Sequence, residues 1–100
     1  ESAFLYFSEK IKENGLYLLD EPENSLSVEN QMKLADYIHS SARFFNCQFV
    51  IATHSPIFLS IPHAKIYNLD DDSKVVDSWT KLKSVRLMFD LFMKHKEEFE

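Results

Sequence analysis

Apolar positions fall along this chain in two patterns, short unbroken runs and stripes at helical spacing, and their alternation sets the expected fold. Phe4, Phe7 and Ile11 share one face of a short helix that Glu13-Asn14-Gly15 stops. Leu16 to Leu19 is an unbroken apolar run, the pattern of a strand buried on both faces. The turn-prone stretch Glu23-Asn24-Ser25 leads to a helix capped by Ser27, with Glu29 in its first turn and Val28, Met32, Ala35, Ile38 and Ala42 as its apolar stripe. Phe49 to Ala52 predicts a second buried strand, after which Ser55 caps a short helix opened by Pro56. The last third predicts two short strands, Lys65 to Leu69 and Val75 to Trp79, joined by a hairpin turn at Asp70-Asp71-Asp72-Ser73. Leu82, Val85, Phe89 and Phe92 then stripe a final helix to about Lys96. Helices alternating with buried strands predict an α/β fold, parallel strands covered by helices, with a hairpin and helix appended.

Composition narrows this picture. One hundred residues, 45% of them hydrophobic, suit a single domain spanning 1–100, and no internal repeat or low-complexity linker divides it. No apolar stretch is long enough to cross a bilayer and no basic-then-apolar leader opens the chain, so a cytoplasmic setting is expected. The lone Cys47 cannot form an internal disulfide and reads as a small buried residue at the head of a strand. A net charge of -5, without a compact basic cluster, predicts no direct nucleic-acid binding by this segment. With one glycine, Gly15, the chain has no glycine-rich phosphate cradle. Together with a start at Glu1, that omission suggests part of a larger protein.

The candidate chemistry lies where the two apolar runs end. Leu18-Leu19-Asp20-Glu21-Pro22 and Thr53-His54-Ser55-Pro56 each pass abruptly from apolar to chemically capable residues, at the strand ends where open α/β sheets hold ligands. The acidic run Asp70 to Asp72 reads as a turn and not a metal site, and His39, His63 and His95 show no shared ligand spacing. Phe89, Phe92 and Phe99 read as core packing.

Leu16 to Pro22 resembles the Walker B strand of ABC-type ATPases, Glu23 to Ser27 occupies the place of their D-loop, and Ile51 to Pro56 resembles their switch-histidine loop. Glu1-Ser2 is similar to the tail of their signature motif. The nearest group is the soluble, AAA-labelled, ABC-like ATPases, which implies a partial P-loop NTPase fold, ATP and Mg²⁺ as cofactors, and a catalytic cycle in the complete protein. By this resemblance Asp20 holds Mg²⁺, Glu21 is the general base, and His54 contacts the γ-phosphate. Asn24, Ser25 and Ser27 would face a second ATPase subunit across a nucleotide, and Ser55 is a further nucleotide-binding position. Pro22 and Pro56 are expected to hold Glu21 and Ser55 extended. The D-loop ends in Ser27 where many relatives have aspartate.

The phosphate loop with its lysine, the glutamine loop and most of the signature motif have no counterpart here, so the isolated segment is expected to be catalytically inactive. In the resembling fold the strand leading into the phosphate loop lies between the strand ending at Thr53 and the one at Lys65 to Leu69. Without it, the two strands could close directly, a second copy could fill the gap, or the amino-terminal half could be supplied from elsewhere; association is the expected result. Two alternative functions stand beside the ATPase: a catalytically silent interaction module, and an ATPase subunit coupled to a DNA-processing nuclease.

Overall fold

The computed structural model describes residues 11, 14–70 and 74–100. The chain forms two compact units, Glu1–Pro62 and His63–Glu100. The helix expected around Phe4 and Phe7 lies outside the described residues apart from Ile11, which is buried.

In the amino-terminal unit, β1 (Leu16–Asp20) leads through a 3-10 turn (Pro22–Ser25) to α1 (Val28–Phe44), and β2 (Gln48–Ala52) leads to the short α2 (Pro56–Leu59). The two strands pair in parallel, in a register that runs from Leu16 opposite Gln48 to Asp20 opposite Ala52. Parallel partners need a long crossover, and α1 supplies it. Ser27 caps that helix as expected, its Oγ accepting the Asn30 amide at 3.2 Å. At its far end Asn46 takes a left-handed φ of 55°, which reverses the chain into β2. Three bonds then staple the strand entrances together: Asn14 N–H to the Phe45 carbonyl at 3.0 Å, Gln48 N–H to the Gly15 carbonyl at 2.8 Å, and Asn46 Nδ2 to Asn14 Oδ1 at 3.1 Å. With the entrances stapled and the strands equal in length, Asp20 and Ala52 leave the sheet side by side.

The core is Ile11, Leu26, Leu34, Ala35, Ile38 and Phe58, with Tyr17, Leu19, Phe49 and Ile51 packed against it from the sheet. Tyr17 and Phe49, paired in register, stack with ring centroids 5.5 Å apart. Burying a side chain such as Leu34 contributes about 1.5–3 kcal/mol.

Two sequence expectations fail here. The strands are covered on one face only: Leu16, Leu18 and Val50 alternate with the packed residues and are exposed, Leu18 at 74%. Among the described residues nothing covers that face, and β2 has no second strand partner, so an apolar run that would suit a two-sided strand behaves as a one-sided one. The buried stripe of α1 is also rotated from the expected one. Val28, Met32 and Ala42 are exposed, whereas Asn30, Leu34, Ala35, Ile38 and Ser41 face inward. Among the described residues every buried side-chain nitrogen or oxygen is hydrogen-bonded, so polar Asn30 and Ser41 are tolerated inside.

The carboxyl-terminal unit has the expected hairpin, with β3 (Ile66–Asn68) antiparallel to β4 (Lys74–Val76). Residues 71–73 of its turn lie outside the described residues. Trp79 belongs not to a strand but to a 3-10 turn (Trp79–Lys81), whose start Ser78 caps by accepting the Thr80 amide at 3.3 Å. In α3 (Lys83–Lys94) Val85 is buried, as is Leu82 before it, but Phe89 and Phe92 are each 52% exposed and Phe99 is exposed too. These rings are therefore not core. Phe92 and Phe99 meet edge to face at 6.3 Å, and Arg86 covers Phe89 at 5.7 Å, which shields part of their surface. No helix among the described residues is long and apolar enough to cross a membrane.

Candidate functional site

The candidate site is built where β1 and β2 end together. Asp20 is the last residue of β1 and, by alternation, shares the exposed face with Leu16 and Leu18. The Glu21 amide donates to the Ala52 carbonyl at 2.7 Å, continuing the strand pairing by one bond. The backbone then departs from expectation: Glu21 is left-handed, with φ 46° and ψ 57°. Proline disfavours the right-handed α region for the residue before it and biases it toward extended backbone, and Glu21 departs from that bias into the left-handed region. The reason is the immediate reversal into the 3-10 turn, where Pro22 is buried and the Asn24 amide donates to the Glu21 carbonyl at 3.1 Å. A non-glycine residue held this way costs about 1–3 kcal/mol.

Ser55, before the second proline, is extended as expected, at φ -77° and ψ 123°. Its side chain is buried and both donates and accepts a hydrogen bond. Ser55 Oγ accepts the Ile57 amide at 3.3 Å, capping α2, and donates to Gln31 Oε1 at 2.6 Å, while Gln31 Nε2 donates to the Leu26 carbonyl at 3.3 Å. One hydroxyl thus ties the β2 exit to helix α1.

A second tie crosses between the two loops. The Thr53 hydroxyl donates to Glu23 Oε1 at 2.6 Å, the His54 amide donates to Glu23 Oε2 at 3.0 Å, and the Ser55 amide donates to Thr53 Oγ1 at 3.0 Å. Partial burial pushes the Glu23 carboxyl up, but the Thr53 hydroxyl, the His54 and Glu23 amides and the charge of His54 outweigh it, holding Glu23 below its ordinary value. The carboxylate is therefore a fixed negative charge spanning the two strand ends.

That frame sets Glu21 Oε1 3.4 Å from His54 Nδ1, with the Glu21 side chain 44% and the His54 side chain 83% exposed. A carboxylate and an imidazole at this spacing, both open to solvent, can exchange a proton through water or share a ligand. Potential ligand atoms of Glu21, Glu23 and His54 all lie within 4.8 Å of one another. Asp20 is at the adjoining strand end but outside this trio. Asn24 and Ser25 are exposed on the 3-10 turn, where the Ser25 hydroxyl donates to the Pro22 carbonyl at 3.4 Å. The Ser27 hydroxyl serves as the α1 cap.

Sequence reasoning missed the frame itself. Glu23 reads from sequence as a turn residue and Thr53 as one member of the second polar motif, and nothing singles out Gln31, yet all three join the loops. Their partners stand 24 to 31 residues away, beyond any local periodicity. The only signal was their place within or beside the polar strand ends.

Together, neighbouring parallel strands with a βαβ crossover and polar residues gathered at their carboxyl ends are compatible with part of a P-loop fold. Residues 1–59 match a family model described as AAA ATPase domain, and the chain belongs to that family. No curated protein and no solved structure matches the chain.

Proposed function

We propose that this chain carries the water-activating part of an ABC-like ATP-hydrolysis site, with Asp20 and Glu21 as its Walker B carboxylates and His54 as its switch histidine. The observation that supports it most is the meeting of Glu21 and His54 at 3.4 Å, from adjacent ends of a parallel strand pair. Asp20 suits Mg²⁺, because an exposed carboxylate at a strand end offers the oxygen donor that this ion prefers while leaving room for its retained waters. Bound Mg²⁺ would neutralise charge on the phosphates. Glu21, fixed by its left-handed backbone, would accept a proton from the attacking water. His54, whose amide is anchored on Glu23, would extend its exposed ring toward the γ-phosphate. Asn24, Ser25 and Ser27 would face the nucleotide from a second copy, with Ser55 holding the loop beside it. The phosphate cradle that this sequence lacks would come from elsewhere in the complete protein, as would the strand beside β2.

The test is Mg²⁺-dependent ATP hydrolysis by this chain, by the chain joined to an upstream phosphate loop, and by that longer form carrying Glu21→Gln. Hydrolysis only in the longer form, with kcat reduced about 10²–10⁴-fold by the substitution, is expected. Absence of hydrolysis in every form would overturn the reading.

A further inference from the structure

The Glu21, Glu23 and His54 trio has a donor set and spacing that ATP hydrolysis does not require. An imidazole nitrogen with two carboxylates is a mixed nitrogen and oxygen set, which suits first-row transition ions, whereas Mg²⁺ favours oxygen alone. The 3.4 Å between His54 Nδ1 and Glu21 Oε1 exceeds the usual length of a charge-assisted hydrogen bond. It matches the separation, about 3.4 Å, of two ligand atoms that each lie about 2.0–2.1 Å from a tetrahedral zinc ion. Glu23 completes the set within 4.8 Å, and the exposed Glu21 and His54 side chains can rotate to close the remaining distance. Glu23 also has outer support of the kind that orients metal-binding carboxylates, namely the Thr53 hydroxyl on Oε1 and the His54 amide on Oε2. Each of these oxygens keeps a second lone pair for a metal.

We infer that Glu21, Glu23 and His54 form a three-ligand site for a divalent transition ion of the zinc class, distinct from the Mg²⁺ position at Asp20. Its consequence rests on the ATPase reading above: an ion held there ties up the Glu21 carboxylate and the His54 ring, and so inhibits hydrolysis.

The test titrates the 100-residue chain with CoCl₂, followed by visible absorption, with ZnCl₂ as competitor and folding verified by circular dichroism. One Co²⁺ per chain, displaced by Zn²⁺, is expected. His54→Ala and Glu23→Gln should each weaken Co²⁺ binding at least about tenfold, while Asp20→Asn and His39→Ala leave it unchanged. His54→Ala keeps the result readable if Glu23→Gln fails to fold, because a side chain 83% exposed leaves no cavity. Absence of a Co²⁺ spectrum in the folded chain, its survival in His54→Ala, or its loss in Asp20→Asn would each overturn the site. Hydrolysis by the longer form, with and without ZnCl₂, separates the two ideas. Co²⁺ binding without hydrolysis in any form leaves the site standing and removes the ATPase reading; hydrolysis without Co²⁺ binding does the reverse.

Discussion

The two proline turns at the site solve one problem in opposite ways. Both follow a strand of the same sheet, and both must turn at once into a helical segment. At Ser55 the backbone is extended and the side chain does the structural work, capping α2 and gripping Gln31. At Glu21 the backbone is left-handed, no side-chain cap is made, and the carboxylate stays clear of the local scaffold to meet His54. A short hydroxyl side chain suits the first task and a longer, ionised one suits the second. The lesson is that strain sits at the proposed reactive residue while its neighbour is relaxed, the distribution expected where geometry is imposed for function.

Breaking the relaxed turn should have the largest effect. Ser55→Ala removes the α2 cap and leaves Gln31 Oε1 without its donor, so urea unfolding should show a loss of about 2 kcal/mol. Glu23→Gln breaks the tie between the turns by offering a donor to a donor, and should cost about 1 kcal/mol, limited by partial exposure. The pH dependence sharpens this second case. Because the Glu23 carboxyl is held below its ordinary value in the folded chain, its contribution is complete above the ordinary glutamate range and is lost as pH falls through the lowered value. The stability gap between the parent and Glu23→Gln should therefore be full at neutral pH and close on acidification, which urea midpoints across the acid range would reveal.

The smallest effect comes from glycine at Glu21, and the most direct test of the contrast sets it against glycine at Ser55, which loses the same hydroxyl as Ser55→Ala. Glu21→Gly should raise stability by about 0.5 kcal/mol by relieving the left-handed strain, whereas Ser55→Gly should lower it. A loss in both variants, measured by the same urea transitions, would mean that Glu21 is not strained.

The two compact units differ in a related way. The first surrounds Leu34 with a packed core and carries every residue of the candidate site. The second leaves most apolar residues of α3 exposed. The stripe Leu82, Val85, Phe89 and Phe92 is regular enough to predict a helix, and a helix forms, but periodicity does not say whether anything packs against it. For the same reason the two apolar runs announced strands without disclosing that each would be covered on one face.

Taken alone, the sequence determined the order of elements from β1 through α3, the caps at Ser27 and Ser55, and the two strand ends where polar residues gather. These depend on interactions within a few residues, on hydrophobic run length and on proline, all of which are local. Only the tertiary structure decided that α1 buries Asn30 and Ser41 and leaves Val28 and Met32 in solvent, because the choice of face depends on what the helix meets. It also decided the left-handed Glu21, since proline biases the residue before it toward extended backbone and the ensuing turn overrides that bias. The tie of Glu23 to Thr53 and His54 was likewise a tertiary outcome: residues 30 and 31 positions apart become neighbours only once β1 and β2 have paired in register.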